Sequence, residues 1–401
     1  MSRAAEFDKR SSLAFIVAFG IVSLWADMAY EGMRSISGPF LGTLGASGAI
    51  VGAVAGVGEL FGYLLRLGSG RLAERTHLYW PIALAGYTIQ MAAVPALALA
   101  GTWWAAAAFI VLERSGKALR NPAANTMMSR AGEHIGQGWA FGLHEALDQT
   151  GALTGPLIAF LVLALHHDYR KAFLWLGVPA LLTLISVVTV RTGFPYAGHI
   201  SPAPQNATAS RALPRVFWLY AISAALVAFG FADYSLIAYH FTQGHIVTQA
   251  YVPIFYAGAM AASGGGSLLF GRWFDRAGLR VLVFGVLIGV VIAPLVFLGG
   301  FALALLGTLV WGLSLGIHDA IMNAGVASIV AQQARARAFG IFSAIFGIAW
   351  FLGSVLEGYL YDRSVLALVA LASVAEFAAL VPLTLALRTI NVSERDHPAR
   401  G

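Results

Sequence analysis

Ionisable side chains lie inside segments that are otherwise apolar, and they are the candidate functional residues of this sequence. Asp27, Glu31 and Arg34 follow one another at helical spacing, which places them in one sector of a helix. An ionisable group at the centre of a bilayer costs about 2.5–3.5 kcal/mol on insertion scales, so each needs a partner or water. We therefore expect this stripe to line a cavity, with Tyr30 beside Glu31 as an aromatic surface for an amphipathic or cationic ligand.

The second apolar segment repeats this geometry with Glu59, Tyr63 and Arg66. Buried carboxyl groups can exchange protons at physiological pH, which would supply a coupling element. The alternative is pairwise neutralisation, Glu31 with Arg34 and Glu59 with Arg66, which would serve helix docking alone.

A third group of ionisable residues lies in the fifth apolar segment, at His144, Glu145 and Asp148. The pattern is similar to the helix motif of zinc hydrolases, but a second histidine and a third ligand are missing. The chain also contains no cysteine. The sequence therefore predicts no metal site and no cofactor, although a transported metal ion could visit these residues.

The elements that must position these groups are membrane helices. Of 401 residues, 59% are hydrophobic and 11% are charged, against roughly a quarter charged in soluble domains. About twelve apolar stretches are each long enough to cross the bilayer, which predicts an all-α polytopic membrane protein. They lie near residues 13–40, 48–67, 79–100, 103–122, 138–165, 172–190, 214–241, 251–270, 280–299, 301–330, 338–360 and 365–388.

Basic residues crowd alternate loops between these stretches. By the positive-inside rule, both termini and the long loop at 191–213 are expected in the cytoplasm, which predicts a multi-pass membrane protein. The net charge of +6 then reflects topology in the lipid bilayer, and we expect no nucleic-acid partner.

The chain is internally duplicated. GRLAER at 70–75 returns as GRWFDR at 271–276, and AFGL at 140–143 returns as AFGI at 338–341. Nearly equal offsets predict two pseudo-twofold-related six-helix bundles, the architecture of secondary transporters. We expect an N-terminal bundle over 1–193, a cytoplasmic linker over 194–213, and a C-terminal bundle with a short cytoplasmic tail over 214–401.

The two copies of the first motif resemble loop signatures of the major facilitator superfamily. The second copy comprises Gly271, Asp275, Arg276, Gly278 and Arg280; the first comprises Gly70, Glu74 and Arg75, with His77 where a second glycine is usual. The resemblance covers essentially the whole chain and implies transport by alternating access. An acid and an arginine in a short loop predict a gating latch, and a simple topology anchor is the alternative.

The fifth segment also carries Gly142, Gly151, Gly155 and Pro156. This pattern is similar to a signature of the superfamily's proton-coupled exporters, although Ala159 and Phe160 stand where paired glycines are typical. Small residues at this spacing let helices approach closely, so generic helix packing is the alternative.

The duplication serves as an internal control. At the offset of 198, His144, Glu145 and Asp148 correspond to Phe342, Ser343 and Phe346. The N-terminal bundle is therefore expected to carry the ion or substrate chemistry. The C-terminal half retains Asp233, His240, His318 and Asp319. Asp233 aligns with Asp27 at an offset of 206, so we expect these two acids to face each other as a cavity floor or coupling pair.

The fourth segment places Glu113, Arg114, Lys117 and Arg120 near its cytoplasmic end. The three cations could anchor the inner mouth or form an anion funnel, and the sequence favours anchors.

The leading interpretation is a monomeric transporter that exports a small organic or amphipathic compound in exchange for protons, with the proton gradient as its energy source. Proton symport of a small organic anion or sugar is the alternative. A membrane enzyme or sensor is remote, because no catalytic constellation or nucleotide loop is present.

Overall fold

The computed structural model describes residues 7–198, 213–330 and 334–396, without the side chains of 319–321, 323, 324, 336 and 390–396. The described part is built of α-helices joined by short turns and 3₁₀ segments. The helices are α1 Lys9–Thr43, α2 Gly48–Thr76, α3 Tyr79–Ala96, α4 Trp103–Gly132, α5 Gln137–His166, α6 Tyr169–Gly193, α7 Arg215–Gly230, α8 Tyr234–Gln243, α9 Val252–Ala277, α10 Val281–Leu298, α11 Phe301–Ile329, α12 Arg335–Tyr361 and α13 Val365–Asp396.

Among the described residues, ten segments are long and apolar enough to cross a membrane. The predicted twelve spans correspond to these helices, with α7 and α8 forming one span and with α9 and α10, which are joined by a short 3₁₀ segment, together making one of the ten. Helix α4 falls outside the ten, because five charged residues interrupt its apolar sequence. The protein is therefore an all-α membrane protein.

The helices form two compact units. One comprises Met1–Ala46, Val57–Asn206 and Val247–Ala257, and the other comprises Ser47–Gly56, Ala207–Ile246 and Gly258–Gly401. The predicted linker falls largely on 199–212, outside the described residues, so the bundle boundaries at 193 and 214 stay a prediction.

In the first unit, α1 packs along α5 and α6, and α3 packs along α4. Gly151 and Gly155 lie at the crossing of α1 and α5, where a Cβ on either residue would overlap the backbone around Met28. Such close contact replaces lipid by dispersion contacts between helices. By contrast, nothing lies within 4 Å of a Cβ built on Gly142.

In the second unit, α7 packs against α12 and α13, and α10 packs against α11 and α13. Gly353 of α12 lies against the backbone of Phe229 in α7, so that a Cβ would overlap it. This is the position that the sequence repeat pairs with Gly155. The same kind of glycine crossing thus occurs in both units.

The predicted span at 214–241 is not one continuous helix. It is interrupted at 231–233, between α7 and α8, where Phe231 is extended and Asp233 accepts a hydrogen bond of 2.8 Å from Ser235 N. The break frees backbone groups that need partners inside a membrane. Trp311 Nε1 supplies one by donating to Ala232 O over 2.9 Å.

The repeated GRLAER and GRWFDR motifs were expected in loops, and this expectation is wrong. Both form the last turns of helices, α2 and α9. The reversals come afterwards, at His77 with φ 57° and Gly278 with φ 59°. His77 therefore adopts the left-handed conformation for which glycine is the usual residue.

Candidate functional site

The stripe on α1 faces protein. Asp27 is 5% exposed, and Glu31 and Arg34 are each 8% exposed. Their spacing of four and three residues puts them on one face of α1. Nine ionisable groups of the first unit, from several helices, lie on or around this face. They comprise five acids, Asp27, Glu31, Glu59, Glu113 and Asp148, and four bases, Arg34, Arg114, Lys117 and Arg120.

Asp27 lies close to two cations and interacts with a second acid. Its Oδ1 lies 3.8 Å from Lys117 Nζ and 3.6 Å from Arg120 Nη2. Asp148 of α5 interacts electrostatically with Asp27, Lys117 and Arg120. Two carboxyl groups and two cations from α1, α4 and α5 therefore meet at one point.

A hydrogen-bond chain holds Arg120 in place. Its Nε donates to Gln90 Oε1 over 2.6 Å, and its Nη1 donates to Tyr87 OH over 3.1 Å. Gln90 Nε2 in turn donates to Glu113 Oε1 over 2.8 Å. Arg120, Gln90 and Glu113 are all buried, so the guanidinium is oriented by neutral partners as well as by Asp27.

A second ionic group joins α1, α2 and α4. Glu59 Oε1 lies 3.0 Å from Arg114 Nη2 and 3.8 Å from Arg34 Nη2. Arg66 instead is exposed, with its guanidinium carbon 5.9 Å from the ring centroid of Tyr63. The expected alternative of pairing Glu59 with Arg66 within one helix is wrong, because Glu59 pairs between helices.

Tyr30 is already engaged by protein cations. Lys117 Nζ lies 3.7 Å from its ring centroid, and its hydroxyl accepts a hydrogen bond from Arg114. A ligand cation would have to displace Lys117 from that face. These contacts also overturn the anchor interpretation of α4: Arg114, Lys117 and Arg120 point at acids and aromatic rings.

Glu31 has a neutral partner, since Tyr256 OH donates to Glu31 Oε2 over 2.5 Å. Both residues are buried, and the segment that carries Tyr256 belongs to the first unit. Sequence reasoning missed this tyrosine because a tyrosine in an apolar span carries no charge signal.

The three predicted residues of α5 have different surroundings in the structure. His144 Nε2 lies 3.4 Å from Ser23 Oγ on α1, and Asp148 interacts electrostatically with Asp27. Glu145 is exposed and accepts a hydrogen bond of 2.8 Å from Gln149. Throughout the described ranges, no group of three His, Cys, Asp or Glu side chains could hold a metal ion.

The predicted residues of the second unit do not assemble into one cluster. Asp233 caps α8 through Ser235, while His240 Nδ1 lies 3.1 Å from Tyr361 OH. His318 packs against the ring of Phe231. The side chain of Asp319 lies outside the described residues.

Two buried acids of this unit, Glu357 and Glu376, were missed. Each is an isolated acid in an apolar span, so the insertion-cost argument applied to Asp27 would have found both.

The acids of the motif at the ends of α2 and α9, Glu74 and Asp275, are exposed. Neither forms an ion pair within the described part of the chain. Arg75 and Arg276 beside them are exposed as well. The latch therefore stays a prediction.

The chain has close relatives among known proteins. An uncharacterised protein of Mycobacterium tuberculosis is 39% identical over 377 residues, covering 92% of each chain. A transporter of the major facilitator type from Methanocaldococcus jannaschii, itself uncharacterised, is 25% identical and covers 87% of this chain and 89% of its own.

Among solved structures, a peptide transporter crystallised with sulfate superposes with a TM-score of 0.78 at 14% identity, over 97% of this chain and 99% of that one. The family model of the Major Facilitator Superfamily matches residues 11–354. A match of this extent, on a bundle of membrane helices with charged groups buried inside it, shows that the chain is a membrane transporter of the Major Facilitator Superfamily.

Proposed function

We propose that the protein is a proton-coupled exporter, which exchanges protons for a small organic compound by alternating access. The observation that carries this proposal is the meeting of Asp27 and Asp148 with Lys117 and Arg120. In the site as a whole, five carboxyl groups stand beside four bases. One carboxyl therefore lacks a compensating cation and is the natural place for a transported proton.

Asp148 is the best candidate for that carboxyl. It interacts electrostatically with Asp27 and Lys117 but is not among the acids that form an ion pair in the described chain. With a proton on Asp148, the two acids can share a hydrogen bond. Without it, they repel and compete for Lys117 and Arg120, which changes the relative stability of conformations that hold α1 and α5 together.

Two features bear on the substrate and the direction. Because Lys117 covers one face of Tyr30, a cationic compound stacked on that face is disfavoured, and a neutral or anionic compound fits better. The crossing of α1 and α5 through Gly151 and Gly155 is the feature that resembles proton-coupled exporters, and it favours antiport.

Proton symport of a small organic anion is the second candidate. Arg34 and Arg114 both lie beside the carboxylate of Glu59. A substrate carboxylate or phosphate that reached these guanidinium groups would be held by charge-assisted hydrogen bonds.

We further propose that the protein works as a monomer in a bacterial plasma membrane, with both termini in the cytoplasm. The distribution of arginine between alternate loops supports this topology. Its partners are then lipid, protons and the transported compound, and the proton gradient replaces any cofactor.

Purified protein in liposomes loaded with a pH-sensitive dye tests the proposal. Each compound of a panel of small organic anions and neutral compounds is trapped inside, and its exit is initiated by dilution. Antiport predicts that lumenal pH falls as a compound leaves. Symport predicts that lumenal pH rises. A compound that is transported with no pH change would refute proton coupling.

A further inference from the structure

The second unit contains two acids that neither the coupling site nor the repeat explains. Glu357 lies on α12 and is 0% exposed, and Glu376 lies on α13 and is 1% exposed. Glu376 interacts electrostatically with Glu357, and Glu357 with Asp233. Glu357 therefore lies within electrostatic range of both Glu376 and Asp233 inside the membrane bundle.

None of the four carboxylate oxygens of Glu357 and Glu376 has a hydrogen-bond partner. Neither residue takes part in an ion pair of the described chain. Asp233 differs, since its carboxylate accepts from Ser235 N. Glu357 and Glu376 are therefore fully enclosed polar groups without compensation, which native proteins rarely leave in place.

The packing leaves room specifically for the Glu376 carboxyl. A Cβ built on Gly289 of α10 would lie 2.6 Å from Glu376 Oε2, and one on Gly230 of α7 would lie 3.3 Å from its Cγ. Any larger residue at 289 would collide with the acid. Glycine on the facing helix thus accommodates a carboxyl group in a region that otherwise holds apolar side chains.

No base stands near enough to neutralise these acids. Helix α10 carries no ionisable side chain, and the bases of α7, α12 and α13 whose side chains are described, Arg215, Arg335, Arg337 and Arg388, are exposed at helix ends. The other titratable groups of the packed helices are tyrosines and two histidines. Tyr220 donates to Met322 O, His240 lies beside Tyr361, and His318 packs against Phe231. Among the described residues, Asp233 is the one charged group outside the pair with which either acid interacts electrostatically.

An ionised carboxylate enclosed in this way would bear a large desolvation cost, and two of them would also repel each other. A bound metal ion would need several oxygen ligands, which the apolar surroundings of the pair do not supply. We propose that Glu357 and Glu376 form a second proton-binding site, in the second unit, where both carboxyl groups hold protons in this conformation and release them when they become accessible to water. The inference goes beyond the coupling site at Asp27 and Asp148 and does not depend on it.

Infrared spectroscopy of the purified full-length protein in lipid tests this directly. Protonated carboxyl groups absorb through a C=O stretch that shifts in D2O, and ionised ones do not. We expect Glu357→Gln and Glu376→Gln each to remove part of this band at neutral pH. The exposed Glu133→Gln is the matched control and should remove none. An unchanged band in both glutamine variants would overturn the proposal.

A pH titration adds a second criterion. The wild-type band should decrease as the pH is raised, with one proton released per carboxyl group, and the double variant should release correspondingly fewer. A band that persists to the highest pH at which the protein stays folded would overturn the proposal, because the protons would then never be exchanged.

Thermal unfolding covers the case in which a variant behaves poorly. Gln mimics the neutral acid, so Glu376→Gln should unfold near the wild-type temperature below about pH 4, where the acid is protonated in the folded and unfolded states alike, and above the wild-type temperature at neutral pH. A protein whose folded form retains extra protons loses stability as pH rises, and the variant should lose less of it than the wild type does. Failure of Glu376→Gln to fold would contradict the inference. It would also be contradicted if sodium chloride stabilised the wild type more than choline chloride does, because the acids would then bind Na⁺ rather than protons.

Discussion

Replacing Glu59 by Gln tests whether the buried ion pairs hold α1, α2 and α4 together. Glu59 Oε1 lies 3.0 Å from Arg114 Nη2 and 3.8 Å from Arg34 Nη2. The three side chains are 15%, 13% and 9% exposed, respectively. Gln keeps the shape of Glu59 but removes the charge that both guanidinium groups share.

The expected cost follows from these distances. At an effective dielectric constant of about 20, unit charges 3.0 Å apart attract each other by about 332/(20 × 3.0), or about 5.5 kcal/mol. Desolvation offsets part of this, and breaking a buried pair costs about 3–5 kcal/mol because the remaining charge is uncompensated. Arg114 retains Tyr30 and Glu113 as partners. We therefore expect a loss near the lower end, about 3 kcal/mol.

The assay is denaturant unfolding of detergent-solubilised protein. Glu133→Gln is the control, because Glu133 follows α4 directly, is exposed and forms no ion pair in the described structure. Its free energy of unfolding should change by no more than about 0.5 kcal/mol. A loss of less than about 1 kcal/mol for Glu59→Gln, or equal losses in the two variants, would refute this account of the ionic group.

Three further predictions concern packing and the helix break. Gly155→Leu should prevent close packing of α1 on α5 and lower the yield of monodisperse protein on size exclusion, whereas Gly142→Ala, with open space around it, should not. Trp311→Phe should cost about 1–3 kcal/mol in thermal unfolding, because the Ala232 carbonyl loses its donor; an unchanged melting curve would count against the broken span. Asp362→Ala removes the acceptor of the first two N–H groups of α2 and should cost about 0.5–2 kcal/mol in thermal unfolding; an unchanged melting curve would show that this cap does not stabilise α2.

Much of the fold could be predicted because membrane helices are recognisable in a sequence as long apolar stretches. Apolar stretches long enough to cross the bilayer predicted all the spans, since backbone N–H and C=O groups in lipid must form hydrogen bonds within their own helix. The break between α7 and α8 could not be predicted, because it depends on Trp311, a residue distant in sequence that donates to the freed Ala232 carbonyl.

The site was partly predictable for the same reason. Charge inside an apolar helix is costly, so Asp27 and Glu59 could be identified from the sequence alone. Their partners could not, because pairing depends on how helices rotate against one another. Gln90 and Tyr256 carry no charge, and their roles appear only when the structure places them beside Arg120 and Glu31.

The central claim is that Asp148 couples proton movement to transport, and exchange without a gradient separates coupling from transport itself. In liposomes, Asp148→Asn should still exchange a labelled compound for unlabelled compound, because binding and alternating access remain. The same variant should fail to accumulate that compound when only a pH gradient is imposed, whereas the wild type and Glu133→Gln should accumulate it. Undiminished accumulation by Asp148→Asn under the pH gradient would contradict the account.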